Sequence, residues 1–245
     1  MKIDAYMNQD EVFNRFQSVL GENAQSFTAS VIQVTNQSRK LKLADPQTIF
    51  TAALTAASLS LPIDPNLGFA YIIPYDINEK QPDGTWKKRV VAQFQMGYKG
   101  FIQLAQRSGQ YQRINAVTVY ENQYKGYNSL TEEIECDFTL KGVGKVAGYV
   151  GYFKLKNGFE KLLFVRYEDM REHANKYSKS ISHKNSIWND ETGGADAMGM
   201  KTALKMVLSK YGPLSVDSAM QKAIKADQSV QTEEGQYSYV DNPEE

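Results

Sequence analysis

Two residues, Asn157 and Gly158, separate two strand-like runs, 145–156 and 159–166. A connection that short can only turn the chain back on itself, so the two runs must pair antiparallel. Asn-Gly suits such a turn because both residues tolerate left-handed backbone. A second turn signal, Gln81-Pro82-Asp83-Gly84, lies between aromatic and β-branched runs at 69–77 and 89–95, and predicts a hairpin with a longer loop. Further strand-like runs cover 111–121 and 133–140.

Other stretches carry helical spacing. Val12, Phe13, Phe16, Val19 and Leu20 form one apolar face stopped at Gly21, and Phe27, Val31 and Val34 suggest a second helix. Asp45-Pro46 opens a third, with an acid to cap it and proline in its first turn, and an Ala-rich run follows to residue 61. Helices are also predicted at 98–108 before Gly109, at 167–177, at 195–211 before Gly212-Pro213, and briefly at 215–226, with a polar loop over 178–194. Strand runs beside helix runs predict an α+β fold with a mainly antiparallel β-sheet and flanking helices. Its helical N-terminal region covers about 8–61 and its α+β core about 62–216, within one domain to residue 226.

Charge is distributed unevenly. The formal net charge is zero, from 28 basic and 28 acidic residues. Asp227, Glu233, Glu234, Asp241, Glu244 and Glu245 fall in the last nineteen residues with no Lys or Arg among them, so the rest carries a surplus of six positive charges. An acidic terminus with Ser, Gln and Gly and no apolar periodicity reads as a disordered tail over 227–245. Cys136 is alone, which excludes an intrachain disulfide and points to the cytoplasm. Asp4, Asp10 and Glu11 stand where a signal peptide would be apolar, and no apolar run approaches the ~20 residues of a membrane helix.

The surplus concentrates in three windows. Between Gly84 and Tyr120 there are six cations, Lys87, Lys88, Arg89, Lys99, Arg107 and Arg113, and no acid. On the 98–108 helix, Lys99, Gln103 and Arg107 recur every fourth residue and share a face opposite Tyr98, Phe101, Ile102 and Ala105. On the 195–211 helix, Lys201 and Lys205 are spaced alike, with Lys210 near the end and Leu204, Val207, Leu208 and Tyr211 as the apolar side. Arg171, Lys176, Lys179 and Lys184 form a third, loop-like window against Glu172, and read first as solvated surface. Basic, amide-rich helices interleaved with aromatics suit a polyanion carrying flat bases. Tyr71, Tyr75, Phe94, Phe101 and Tyr120 read as core or cross-strand residues, while Tyr98, Tyr111 and Trp188 stay open as base stackers.

Catalytic motifs are missing. TLKGVGKV at 139–146 fails the phosphate-loop pattern at both ends, with Thr139 for glycine and Val146 for the hydroxyl residue. The glycines Gly142 and Gly144 lead into a strand-like run rather than a helix, which excludes a dinucleotide fingerprint. Glu172, His173, Asp190 and Glu191 have no ligand spacing that recommends a metal, and a two-metal nuclease would want carboxylates beside the basic helices. The expectation is a binding protein with no catalytic residue and no metal site.

Three segments, LPIDPNLGFAYIIPY at 61–75, AQFQMGYKGFIQLAQRSGQY at 92–111 and MKTALKMVLSKYGPLS at 200–215, resemble the RecT family of phage single-strand annealing proteins. The resemblance spans about 10–216, with the middle segment the most specific. Met200 and Ile187 depart from it, since relatives often place a basic residue and a proline there. The resemblance implies a single-stranded DNA-binding and annealing domain that acts without ATP, with magnesium as a modulator of DNA binding. It also implies a homo-oligomer or helical filament, a phage exonuclease partner, contact with the host single-stranded-DNA-binding protein, and a place in the bacterial cytoplasm. The expected DNA-binding residues are Lys99, Gln103, Arg107, Tyr111, Arg113, Lys179, Lys201, Lys205 and Lys210. From the residues alone, a single-strand binder that does not anneal and a metal-dependent nuclease remain open beside annealing.

Overall fold

A computed structural model describes the chain except residues 1, 81–82, 214–218, 228, 232–236 and 239–245. It is α+β with antiparallel sheets, divided into two compact units. One comprises the chain up to Gly100 and from Lys225 on, and the other Phe101–Ile224. The change of composition near residue 61 marks a change of secondary structure, while compactness divides the chain at Gly100.

In the first unit, helices α1 (Ile3–Met7), α2 (Asp10–Leu20), α3 (Ala24–Gln37) and α4 (Pro46–Ser58) pack around Phe16 and Phe50, whose rings meet edge-on at 5.2 Å. Phe27 joins Phe16 at 5.7 Å. Burying side chains of this size contributes roughly 2–3 kcal/mol each. The α4 N-terminus forms as its sequence directs: Asp45 Oδ1 accepts from the Gln47 N–H at 3.0 Å, and Pro46 occupies the first turn. Buried Ala52, Ala53, Ala56 and Ala57 let α4 lie close to its neighbours.

Strands β1 (Ala70–Lys80) and β2 (Trp86–Met96) pair over their whole length, Ala70 opposite Met96 and Lys80 opposite Trp86. Their roots are tied to α4: the Asp45 N–H donates to the Val90 carbonyl at 3.0 Å, and the Ala92 N–H to Thr48 Oγ1 at 2.8 Å. Eleven residues at about 3.3 Å each make the ribbon about 36 Å long.

The segment expected to form an acidic tail lies mostly outside the described residues. Asp227, placed at its start, is instead fully buried, and its Oδ1 accepts from the Met96 N–H at 2.8 Å. Ser229 bridges to Phe94, so the fold continues past the expected boundary at 226.

In the second unit, β6 (Val146–Leu155) lies between β3 (Tyr111–Tyr120) and β7 (Glu160–Arg166), joined to β7 through Asn157-Gly158 as expected. Alternation along β6 decides what covers each face. Tyr149 and Gly151 face α7 (Gly194–Tyr211), where a Cβ on Gly151 would sit 2.6 Å from the Ala203 carbonyl oxygen. A Cβ on Gly199 would meet the Tyr149 ring at 2.4 Å, so glycine on each element permits this close approach. Helix α6 (Tyr167–Tyr177) adds Met170 and Ala174 to the same cluster. Val150, with Val119 and Phe164, faces β4 (Tyr124–Asn128) and β5 (Glu133–Cys136), where Tyr124 stacks on Phe164 at 5.2 Å.

Three local expectations change. β4 was not foreseen, because Lys125 and Gly126 interrupt any alternation. The run 133–140 stops being a strand at Cys136, because Asp137 accepts from the Thr139 N–H in a tight turn. Helix α1 was not foreseen either.

Candidate nucleic-acid interface

The first basic window divides at α5 (Tyr98–Ser108). Before it, the cations of β2 meet acids from elsewhere in the first unit. Arg89 pairs with Asp45, the α4 cap, and with Glu79 at 3.4 Å across the ribbon. Lys88 lies 3.7 Å from Asp76, which also holds Lys40 at 2.9 Å, and these bonds keep the Asp76 carboxyl below the usual carboxylate range. Two cations of the window, Lys88 and Arg89, are thus drawn into ion pairs by pairing with β1 and docking on α4.

Helix α5 is built differently. Gly97 and Gly100 seat its first turn on the 68–69 backbone: the Gly97 N–H donates to the Phe69 carbonyl at 2.9 Å, and a Cβ on Gly100 would come within 2.3 Å of that oxygen. Lys99 is held on the exposed side, its stem near Gly68. Gln103 is half-buried and Arg107 exposed, while Phe101, Leu104 and Ala105 are buried, so the helix presents the face that its spacing predicted.

Arg113 is exposed on β3 and its charge helps lower the pKa of Glu160, whose main partners are the Tyr152 hydroxyl at 2.9 Å and Lys154 at 3.2 Å. Tyr111 is a packing residue: its ring meets Phe153 edge-on at 5.6 Å, and burial pushes its hydroxyl up to about 12.

Helix α7 corrects one expectation. Lys201 is buried, at 3% exposure, so it belongs to the interior of the second unit and not to a surface open to phosphate. Met198, Ala203, Leu204, Val207 and Leu208 are buried around much of the helix, which is the reason spacing alone misled. Met200 packs partly buried against the Tyr149 cluster. Lys205, one turn on, is half-buried beside His173, whose pKa is lowered by burial, Lys205 and Lys176. Lys210 is exposed and lies 5.0 Å from the centre of the Tyr211 ring. Lys161 approaches that ring at 4.5 Å and pairs with Glu132 at 2.5 Å.

In the third window Arg171 is structural, while Lys176 and Lys184 are exposed. Arg171 donates to the Trp188 carbonyl at 2.6 Å and to Asn189 Oδ1 at 3.2 Å. Trp188, at 5% exposure, is core rather than a stacking platform. Lys179 begins a short 3-10 turn, Lys179–Ser182, and its side chain lies outside the described residues. Asp190 is occupied by its own loop, accepting from the Thr192 N–H at 3.0 Å and hydroxyl at 2.6 Å. Among the described residues no three His, Cys, Asp or Glu side chains gather as a metal site, and no helix is long and apolar enough to cross a membrane. Trp86, not singled out by the sequence, is the most exposed aromatic among the described residues of the first unit, and its place just after Asp83-Gly84 was the available signal.

These positions lie within a chain that matches the RecT family over residues 25–240. The chain belongs to the RecT family. It is 43% identical over 218 residues to the uncharacterised protein YqaK of Bacillus subtilis (strain 168), covering 89% of this chain and 69% of YqaK. It is 30% identical over 216 residues to Protein RecT of Escherichia coli (strain K12), covering 82% of this chain and 73% of that one. RecT membership marks it in general terms as a protein of DNA recombination and annealing.

Proposed function

We propose that this RecT-family chain binds single-stranded DNA by its phosphates and anneals complementary strands without ATP, as a homo-oligomer or filament. The observation that carries the reading is the family match across 25–240. The accessible cations give it physical means. Lys99, Arg107, Arg113, Lys205 and Lys210 hold phosphates, and Gln103 adds a polar contact. Backbone contacts position a strand without reading its sequence, which leaves base edges able to test a partner. Neutralised backbones also repel one another less as two strands meet. A phage exonuclease supplies the single strands, the host single-stranded-DNA-binding protein is the partner displaced or recruited, and the site of action is the bacterial cytoplasm. Magnesium tunes the same electrostatics.

Fluorescently quenched complementary oligonucleotides test this directly. Annealing faster than the protein-free rate, without nucleotide, is the expected result; slower pairing would mean protection instead, and cleavage of labelled DNA in magnesium would mean a nuclease. Five phosphate contacts predict a log–log salt slope of about −3.5 for single strands, and a slope near zero would sink the model. Electron microscopy with successive complementary oligonucleotides tests assembly, which discrete monomers in every condition would refute.

A further inference from the structure

The β1–β2 ribbon carries a feature that the fold does not use. Its inner half is core: Ala70, Ile72, Val91, Ala92, Phe94 and Met96 are buried. Its outer half is exposed on both faces, through Asn78 and Glu79 on one strand and Trp86, Lys87 and Lys88 on the other. Strand pairing holds Trp86 on a defined backbone opposite Lys80, yet its side chain is 68% exposed.

The surroundings of that indole indicate its occupant. Along the strand its neighbours are Thr85, Lys87 and Lys88, and across the ribbon Lys80 holds the opposite position with Asn78 diagonal to it, all polar residues. A subunit or protein interface would want a contiguous apolar patch around the aromatic anchor. A nucleobase wants less: one aromatic plane on a stiff support, polar surroundings and modest positive charge for the adjoining phosphate. Lys40, Lys80, Lys87, Lys88 and Arg89 against Asp45, Asp76, Glu79 and Asp83 leave this part of the ribbon one formal positive charge in surplus, with Lys87 exposed next to Trp86.

We propose that Trp86 is a base-stacking residue: one base of a bound single strand lies on the indole, with Lys87 beside its phosphate. This rests on the single-strand reading above and assigns it a contact outside the basic helices. Because Lys88 and Arg89 are already paired, the main contribution comes from stacking and persists at salt concentrations that weaken phosphate contacts.

The chain has two tryptophans, of which Trp188 is buried, so solvent-exposed emission reports Trp86. The full chain is titrated with an end-labelled oligo-dT, following label anisotropy for binding and tryptophan emission for stacking, at low and at physiological salt. The expected result is quenching of the red-shifted emission in step with anisotropy. Trp86→Ala weakens binding about tenfold at both salts, and Trp86→Tyr keeps most of the affinity. Thermal melts of both variants match the parent, because Trp86 supports no core. Binding without quenching, or wild-type affinity in Trp86→Ala, overturns the proposal. So does a blue shift with rising protein concentration in the absence of DNA, which would place the indole against another copy of the chain. No anisotropy change in the parent protein would refute single-strand binding itself, and this contact with it.

Discussion

The β1–β2 ribbon and helix α5 are consecutive in the chain and both rich in cations, yet the surroundings of those cations are built differently. On the ribbon, Arg89 meets Asp45 and Glu79, and Lys88 meets Asp76. On α5, Lys99 and Arg107 are exposed on a helix with no acid of its own. Along a helix the neighbours of a side chain are three or four residues away, so the acid-free stretch of α5 puts no acid of the same helix beside Lys99 and Arg107. The neighbours of a strand residue come from other segments, ten residues distant for Glu79 on the paired strand and forty-four for Asp45 at the α4 cap, both meeting Arg89. A run of cations in sequence therefore says much about a helix surface and little about a strand surface.

The largest test of this contrast compares Lys99→Ala/Arg107→Ala with Lys87→Ala/Lys88→Ala. At 0.1 M salt the helix pair should lose about 25-fold in single-strand affinity and flatten the salt slope by about 1.4, from two phosphate contacts of about 0.7 each. The ribbon pair, with only Lys87 beside a phosphate, should lose about fivefold and flatten the slope by about 0.7. Equal losses measured by anisotropy across a salt series would break the distinction.

Within α7 the same contrast recurs between Lys201 and Lys205. Lys205→Ala should weaken binding about fivefold, as one lost phosphate contact. Lys201→Ala should instead act on stability, by on the order of 2 kcal/mol, lowering the midpoint in thermal or urea melts with little change in affinity per folded molecule. An affinity loss in Lys201→Ala with an unchanged melt would restore it to the interface.

A smaller effect sharpens the explanation. Asp76→Asn with Glu79→Gln removes the acids that occupy the ribbon cations, and should strengthen binding about two- to threefold with a steeper salt slope. Weaker binding would show that those acids orient the cations for DNA.

The smallest effect is a pH dependence at His173. Burial, Lys205 and Lys176 hold its pKa below the ordinary value of 6.5. The unfolded state therefore takes up the proton first as pH falls, and stability declines below about pH 6.5 until the folded pKa is passed. His173→Gln should flatten that part of the profile in urea melts at stepped pH, while the parent slopes downward.

Much of the fold was legible because local rules agree with the tertiary result. Asn157-Gly158 forces the β6–β7 hairpin, Asp45-Pro46 caps α4, and Gly109 stops α5. The face formed by Lys99, Gln103 and Arg107 follows from helical spacing. What was illegible depended on packing from distant segments. Tyr124–Asn128 becomes a strand because Tyr124 and Tyr127 have Phe164 to cover. Asp227 is drawn out of an acidic terminus because the Met96 N–H needs an acceptor in a buried setting.

The sequence by itself determined the hairpin connections, the helix termini and the face that α5 turns outward, since each depends on backbone preferences and contacts within a few residues. Only the tertiary structure decided which cations remain accessible. Ion pairing on the ribbon and burial on α7 are contacts between segments far apart in the chain. They occupy Arg89 and enclose Lys201, while Lys99 stays exposed on its helix.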